Sequence, residues 1–486
     1  MSSVSLGFEN NLWAACNKLR GNLEESEYKH VLLGLVFLKY ISDSFEDQYE
    51  KVLKDSPGFE EDRDFYTSDN VFFVPKEARW DFIRSQAKLP MIGKVIDDAM
   101  ILIERENKVL KNVLPKNYGR PEIDKVRLGE LIDNLSFKIG DADSKSNDIL
   151  GRVYEYFLKK FGTKEGEFYT PPSIVKLLVN MIEPFKGRVY DPCCGSGGMF
   201  VQSAKFVEEH QGRLGDISIY GQEYTATTWR LAKMNLAIRG IDGNLGERDA
   251  DTFKMDQHKT LRADYILANP PFNFSDWGQP HLLDDPRWKW GVPPKGNANY
   301  AWISHILSKL SPKGTAAFLM SSNTLTSDNE IRKAIVDEGY VKSIITLPSN
   351  MFYTTPIAPV IWVVSKIGPQ KSILFVDASK FGEKDPEEKK NTIFSDEVIN
   401  KISLTFKDYF NNGINQDIEN FCSVKTIDQL KTNDYSLNPR SYIEYSNNEI
   451  ANNSSISELK SRIIENIEGV SDSTQRLIDL LGKIND

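Results

Sequence analysis

The chain contains the stretch Asp264-Tyr265-Ile266-Leu267-Ala268-Asn269-Pro270-Pro271-Phe272, in which an apolar run ends at two prolines. The run is typical of a buried strand, and proline ends a strand because it has no N–H to donate and fixes its own φ. We therefore expect a rigid corner at the carboxyl edge of a sheet, where ligands bind in open α/β folds. This Asn269–Phe272 corner offers an amide, backbone carbonyls and an aromatic ring, which suit a flat base carrying an amino group.

The sequence on both sides of the corner alternates short apolar runs with helices, as in a parallel α/β sheet. Residues 244–253 are expected to carry a third edge of the sheet, with Asp249 and Asp251. The predicted strands cover 188–190, 217–220, 264–268, 315–320, 341–347, 360–364 and 373–376.

At 486 residues the chain is too long for one ordinary core, so we expect several domains. Residues 7 to about 150 have helical periodicity, and from about 456 apolar residues recur at gaps of four and three, as in a heptad seam. We predict an N-terminal helical domain at 1–150, a catalytic α/β domain at 151–430 and a C-terminal helical tail for subunit assembly at 431–486. The seam residues are Ile463, Ile467, Val470, Thr474, Leu477, Leu481 and Ile484.

Composition limits the possible partners and compartments. The formal net charge of −9 argues against a self-sufficient nucleic-acid binder, so DNA binding would need local patches or a partner. The four cysteines form no CxxC pair, so we expect no metal site, and the adjacent Cys193 and Cys194 indicate a reducing interior. With no signal pattern and no run long enough to span a membrane, we expect a cytoplasmic protein.

A glycine-rich loop, Asp191-Pro-Cys-Cys-Gly195-Ser-Gly197-Gly198, lies between a predicted strand and a helix. Glycines there let the backbone approach a ligand closely, but the loop alone fits any nucleotide. Glu223, at the end of the next predicted strand, supplies a carboxylate suited to ribose hydroxyls. Dinucleotide-binding sites usually carry a GxGxxG motif instead, but this difference does not exclude dinucleotide binding.

The loop and the corner together indicate methyl transfer from S-adenosylmethionine to an exocyclic amino nitrogen. Adenine N6 is a poor nucleophile because its lone pair is delocalised into the ring. The Asn269 side-chain oxygen and the Pro270 carbonyl can accept its two N–H groups, and Phe272 can stack on the base. The base must be flipped out of the duplex to reach this pocket. No covalent intermediate is needed, so Cys193 and Cys194 are expected to be packing residues.

These motifs and others in the chain resemble those of the modification (methyltransferase) subunit of a type I restriction–modification system. The resemblance implies a Rossmann-like S-adenosylmethionine-dependent methyltransferase sheet, with an N-terminal helical domain and a C-terminal helical tail. It covers almost the whole chain. The matching stretches are Gly166-Glu-Phe-Tyr-Thr-Pro171, Asp191–Gly198, Gly221-Gln-Glu223, Ala250-Asp-Thr252, Asn269-Pro-Pro-Phe272, Leu347-Pro-Ser-Asn-Met-Phe-Tyr353 and Asn433-Asp-Tyr-Ser-Leu-Asn-Pro439.

The resemblance also implies roles for individual residues. Asp191 would lie near the methionine part of the cofactor, Glu223 would bind its ribose, and Asp251, or alternatively Asp249, would lie near its adenine. Many family members have arginine after the Tyr-Thr-Pro turn, where this chain has Pro172. The implied cofactor-binding residues also include Glu167, Phe168, Tyr169, Thr170, Pro171, Pro172, Gly195, Ser196, Gly197 and Gly198. The implied catalytic residues are Asn269, Pro270, Pro271 and Phe272.

The resemblance implies an assembly as well. Two copies of the modification subunit would join one specificity subunit, which reads double-stranded DNA, and a restriction subunit can be added. Methylation of a specific site would protect host DNA from cleavage. The heptad seam is then a candidate for packing on the specificity subunit. The chain has no GxxxxGK[ST] loop, so it is not the ATP-driven subunit.

Several alternatives remain open at this level. A similar tetrapeptide occurs in protein glutamine N5-methyltransferases, and cytosine N4 is also an exocyclic amine, although enzymes that methylate it favour serine at the first position. A non-catalytic scaffold that binds the cofactor is a third possibility. The basic–aromatic cluster Arg287-Trp288-Lys289-Trp290 either touches DNA or folds onto the catalytic domain. The recognised DNA sequence cannot be read from this chain.

Overall fold

The computed structural model describes residues 25–69, 71–135, 170–352, 355–368, 371–386 and 389–446. Two groups of predictions lie outside these residues: the predicted cofactor contacts Glu167, Phe168 and Tyr169, and the heptad seam.

The N-terminal part of the described chain is helical, as predicted. Helix α4 buries one face because its apolar residues recur every three or four positions, whereas residues 31–42 of α1 are buried on all sides. Helix α5 begins where the Asp124 carboxylate accepts hydrogen bonds from the N–H groups of Val126 and Arg127. The helices are α1 (Glu25–Asp55), α2 (Asp64–Thr67), α3 (Trp80–Ser85), α4 (Ile92–Glu106) and α5 (Lys125–Asn134).

A nine-stranded sheet forms the centre of the rest of the described chain. Its order is β11-β8-β6-β7-β5-β4-β1-β2-β3, and a separate pair is made by β9 and β10. The strands are β1 (Gly187–Asp191), β2 (Ile217–Gly221), β3 (Gly243–Asn244), β4 (Ala263–Ala268), β5 (Leu310–Ser321), β6 (Val341–Thr346), β7 (Pro359–Ser365), β8 (Ser372–Asp377), β9 (Glu383–Lys384), β10 (Thr392–Ile393) and β11 (Cys422–Thr426).

The sheet is mixed rather than purely parallel. Strand β7 runs antiparallel between β5 and β6, and β11 runs antiparallel to β8. The prediction of a parallel sheet was therefore wrong for β7, because an apolar run carries no information about strand direction. The prediction also ended the sheet at 373–376. It missed β11, an edge strand whose Ser423, Lys425 and Thr426 dilute the apolar pattern.

Helices cover both faces of the sheet. On β4, Leu267 packs in one core and Ile266 in another, as the alternation of side chains along a strand requires. Helices α6, α7 and α11 contribute to the core that holds Leu267, and α9 and α10 to the core that holds Ile266. The helices are α6 (Pro172–Ile182), α7 (Gly198–Glu209), α8 (Ala226–Ile238), α9 (Asn299–Lys309), α10 (Asn329–Asp337), α11 (Asp396–Asn412) and α12 (Ile427–Lys431).

Two features of this architecture position the site. Helix α8 shares Leu231, Met234 and Ile238 with the core of the N-terminal helices, which joins the two parts of the chain. Strand β1 lies between β2 and β4 and is parallel to both, so the chain order of the strands reverses beside it. Ligands bind at such switch points, beyond the carboxyl ends of the strands. Among the described helices, none combines the length and apolar character needed to cross a bilayer.

Candidate active site

The Asn269–Phe272 corner begins where β4 ends, as predicted. Asn269 is half-buried and Pro270 is buried, so the strand leaves the sheet at a well-packed point. The Phe272 ring lies edge-on to the Phe352 ring, with 6.2 Å between centroids. Phe352 belongs to the predicted familial stretch that starts at Leu347, and this contact brings that stretch to the corner.

The corner also meets the end of the predicted cofactor loop. The Asn269 Nδ2 atom donates a hydrogen bond to Thr170 Oγ1 at 3.0 Å. Thr170 is followed by Pro171, the residue before α6, and by Pro172, its first residue. Thus Thr170, Pro171 and Pro172 lie at the start of a helix beside the corner. Two motifs 99 positions apart in the sequence are therefore in contact.

A cluster of asparagines holds the chain as it leaves the corner. Asn273 has a positive φ of 55°, a conformation that asparagine tolerates better than most residues. Its Oδ1 accepts hydrogen bonds from the side-chain amides of Asn297, Asn299 and Asn323, at 3.2, 2.9 and 2.9 Å. Asn299 is almost fully buried, and its Oδ1 accepts the Asn273 N–H at 2.9 Å. The cluster thus fixes the backbone directly after Phe272, and it was missed because its members are far apart in sequence.

The glycine-rich loop connects β1 to α7 and follows the predicted pattern. Gly195 and Gly197 have φ values of +52° and +82°, which glycine adopts without strain. Gly198 does not have a positive φ. A Cβ atom built at Gly195 or Gly198 would meet no described protein atom within 4 Å. The space beside the Ser196-containing loop is therefore open, which fits a cofactor lying against the backbone.

Glu223 lies just beyond β2 and faces this loop. Its Oε2 accepts the Gly195 N–H at 3.0 Å, and its Oε1 accepts the Thr225 N–H at 2.9 Å. The side chain is only 7% exposed. Each carboxylate oxygen has a second lone pair, so the group fits two ribose hydroxyls as well as these backbone contacts.

Gln222 is a site residue to which sequence reasoning gave no role. The side chain is fully buried, and its Nε2 donates to the carbonyls of Ala250 and Met255 at 3.1 and 2.8 Å. Its Oε1 accepts the Gln257 N–H at 3.0 Å. Gln222 therefore joins the end of β2 to the segment that carries Asp251. Its place in the Gly221-Gln-Glu223 motif was the available indication.

Asp191 ends β1 and is buried. Burial raises the pKa of its carboxyl to about 7, and the nearby charge of Glu223 acts in the same direction. The Cys193 N–H, which donates to Asp191 Oδ1 at 3.0 Å, opposes this shift. A positive charge placed beside Asp191 would favour its ionised form, which fits the ammonium of the cofactor's methionine part.

Asp251 and Asp249 lie in the segment after β3, and both are half-buried. The Asp251 Oδ1 accepts the Phe253 N–H at 2.9 Å, and its Oδ2 pairs with the Lys254 ammonium at 3.2 Å. These contacts give Asp251 a role in shaping its own turn. Either carboxylate therefore stays a candidate for the adenine of the cofactor.

The two adjacent cysteines do not form a nucleophile. Burial raises the pKa of both the Cys193 and the Cys194 thiols well above its usual range, so neither is a thiolate near neutral pH. Cys194 packs among the apolar residues on one side of the sheet and Cys193 on the other.

The cluster Arg287–Trp290 folds onto the catalytic part of the chain. Arg287, Trp288 and Trp290 are buried, and only Lys289 extends outward, where it pairs with Glu338 at 2.8 Å. Trp288 joins Trp277, Phe253 and Trp302 in an aromatic core beneath the loop. Of the two alternatives predicted for this cluster, the structure favours a loop packed on the catalytic part of the chain over a DNA contact.

Comparisons with known proteins place this site in a family. Residues 145–450 match the N-6 DNA methylase family model, and residues 8–135 match the HsdM N-terminal domain. The chain is 36% identical over 471 residues to the type I restriction enzyme MjaIX methylase subunit of Methanocaldococcus jannaschii, covering 90% of this chain and 84% of that protein. It is 39% identical over 398 residues to the HindI methylase subunit of Haemophilus influenzae, covering 76% and 89%.

A solved structure gives the same fold. The type I restriction–modification methyltransferase subunit from Streptococcus thermophilus superposes with a TM-score of 0.75 at 24% identity, covering 90% of this chain and 99% of that one. The predicted family, its methyl transfer to adenine N6 in DNA and its cofactor S-adenosylmethionine are confirmed by the family and sequence matches. The chain therefore belongs to the N-6 DNA methylase family, among the methylase subunits of type I restriction enzymes.

Proposed function

We propose that the Asn269–Phe272 corner is the place where this subunit methylates adenine N6, after the target base has left the duplex. The observation that carries this proposal is the hydrogen bond between Asn269 and Thr170, which joins the corner to the end of the predicted cofactor loop. A methyl acceptor held at Asn269 would then lie beside a methyl donor held by that loop.

The acceptor chemistry follows from the atoms that the corner presents. With its Nδ2 donating to Thr170, the Asn269 amide has its oxygen to accept one N–H of the adenine amino group. The Pro270 carbonyl accepts the other N–H. Both contacts favour a pyramidal nitrogen whose lone pair points in line at the methyl group. Pro271 keeps the corner rigid, and Phe272, braced by Phe352, stacks on the base.

The remaining predicted residues would hold the cofactor, which supplies a methyl group on a positively charged sulfur. Glu223 would bind the ribose hydroxyls, and Asp191 would lie near the methionine part. Asp251, or Asp249, would lie near the adenine. The loop from Gly195 to Gly198 would let the cofactor approach the backbone, and the segment Glu167–Pro172 would contact it.

The subunit would act within a larger assembly. The named relatives are methylase subunits, and the formal net charge of −9 suits a chain whose DNA reading is delegated to a specificity subunit. We propose a complex with that subunit, a second copy of this chain and a restriction subunit, acting in the cytoplasm. Within this proposal, 1–150 is the helical domain, 151–430 is the catalytic domain, and 431–486 is the assembly tail.

A methyl-transfer assay tests the proposed acceptor. The chain, purified with its specificity subunit, is given S-adenosylmethionine labelled in the methyl group and either duplex DNA or a glutamine-bearing peptide. We expect label in DNA alone, recovered as N6-methyladenine after nuclease digestion. Label in the peptide, or recovery as N4-methylcytosine, would contradict the proposal.

A further inference from the structure

We propose that Arg287 is a positioning residue for the cofactor site, which holds the segment Ala250–Phe253 in place beneath the cofactor's adenine. This inference rests on the proposed function, because it concerns how that segment presents its carboxylate. Arg287 lies in the long loop that leaves the Asn269–Phe272 corner. It would therefore couple the cofactor side of the site to the acceptor side.

The guanidinium of Arg287 uses all five of its N–H donors on described partners. The Nε and Nη2 atoms form a fork with the two carboxylate oxygens of Asp285, at 2.8 and 2.7 Å. The other N–H of Nη2 donates to the Phe253 carbonyl at 2.6 Å. Nη1 donates to the Thr252 carbonyl at 3.0 Å and to His305 Nδ1 at 3.1 Å. Arg287 is only 9% exposed, so these contacts replace water rather than compete with it.

Residues that face the cofactor hold the same segment from its other side. The Ala250 N–H donates to the Glu223 carbonyl at 2.8 Å, and Thr252 Oγ1 donates to the carbonyl of Pro192, next to Asp191. The segment therefore bridges the glycine-rich loop and Arg287. A shift of the Thr252 and Phe253 carbonyls would move the carboxylate of Asp251.

The contact with His305 extends the network to β1. Because an arginine can only donate, His305 Nδ1 must accept, and its Nε2 then carries the hydrogen that faces the Tyr190 hydroxyl at 3.2 Å. Burial, with the nearby charges of Arg287 and Lys309, lowers the pKa of His305 well below its usual range, so the ring is neutral. Tyr190 precedes Asp191 on β1, so the network ends next to a second predicted cofactor residue.

A lysine cannot reproduce this arrangement. Its ammonium has three donors on a point charge, whereas the five donors of the guanidinium lie in one plane with a fixed fork. Arg287→Lys therefore keeps the charge beside Asp285 but loses contacts to the segment.

Cofactor selectivity tests the inference on the full-length chain. The affinities of S-adenosylhomocysteine and of S-inosylhomocysteine, which has hypoxanthine in place of adenine, are measured by calorimetry. In Arg287→Lys we expect the affinity for S-adenosylhomocysteine to fall about tenfold and the preference for adenine to shrink. A role in stability alone would lower the melting temperature and leave the ratio of the two affinities unchanged, and that result would overturn the inference.

Four further variants complete the experiment. Lys289→Met, two residues away and exposed, is the matched control and should keep both affinities. Asp285→Asn should also reduce the adenine preference, by a smaller factor. If Arg287→Lys does not fold, Asp285→Asn takes its place as the test. An unchanged ratio of the two affinities in Asp285→Asn would then overturn the inference. Asp249→Asn and Asp251→Asn test the cofactor assignment separately. If neither loses the adenine preference, that assignment fails whatever Arg287→Lys does.

Discussion

Asn269 and Thr170 meet through a hydrogen bond of 3.0 Å, although 99 residues of chain separate them. Asn269 follows a central strand, and Thr170 precedes the helix α6 that packs on the same sheet. In this bond the Asn269 nitrogen is the donor, and Oδ1 is the acceptor atom of the same amide. Within the proposed function, Thr170 would therefore act on the methylated base through Asn269.

Thr170→Val should slow methyl transfer more than it weakens cofactor binding. Valine has the shape of threonine but no hydroxyl, so the Asn269 amide loses the partner that orients it. We expect kcat to fall about tenfold, with a small change in the Kd of S-adenosylmethionine. Thr170→Ser, which keeps the hydroxyl, is the control. Equal rates for the two variants would show that the bond has no catalytic effect.

Asp191 should make cofactor binding depend on pH. Its carboxyl has a pKa raised to about 7 by burial and the Glu223 charge, so it is largely protonated below that pH. The cofactor's positive charges favour the ionised form, so the affinity for S-adenosylmethionine should rise as the pH increases through about 7. Calorimetry across this range measures the effect. The dependence should be absent in Asp191→Asn, and an identical profile in that variant would contradict the assignment.

The Asp191 carboxyl should also make stability depend on pH, but its contribution to stability should fall as the pH rises, whereas the cofactor affinity should increase. In the unfolded chain an aspartate has a pKa of about 3.9. Because the folded chain holds the proton more tightly, the contribution of Asp191 to stability falls as the pH rises from about 4 to about 7. Without cofactor, the melting temperature of Asp191→Asn minus that of the parent chain should therefore increase as the pH rises over this range. A constant difference would contradict the raised pKa.

Glu223→Gln should weaken cofactor binding strongly. The two carboxylate oxygens accept the N–H groups of Gly195 and Thr225, whereas the amide nitrogen of glutamine would face one of these donors. The loss of a charged acceptor for ribose adds to this effect. We expect the Kd of S-adenosylmethionine to rise by about 10- to 100-fold. Glu247→Gln, an exposed carboxylate in the loop after β3, is a suitable control.

The asparagine cluster should contribute to both stability and activity. Asn299→Leu removes a buried amide that bonds to the Asn273 side chain and backbone. Leaving these groups without that partner should cost about 1–3 kcal/mol of unfolding free energy. Because Asn273 follows Phe272 directly, kcat should fall as well. A loss of stability with full activity would limit the cluster to a structural role.

Much of this fold could be predicted because the sequence features that determine its strands are local. Alternating apolar runs located the principal strands, and the two prolines after Ala268 located the end of β4. The direction of β7 could not be predicted, since it depends on which neighbour the strand pairs with. The contacts of Arg287 could not be predicted for a similar reason. Its neighbours Trp288 and Lys289 left open both a DNA contact and a packed loop, and its partners Thr252, Phe253 and His305 are distant in sequence.

Asn269→Ala tests the central claim most directly. The variant is purified with the specificity subunit, and the transfer of labelled methyl groups to duplex DNA is measured beside the Kd of S-adenosylmethionine. We predict that methylation falls by at least about 10²- to 10³-fold, because the acceptor oxygen is lost, while cofactor binding and assembly stay close to those of the parent complex. Methylation at the parent rate would contradict the assignment of this corner as the site of methyl transfer.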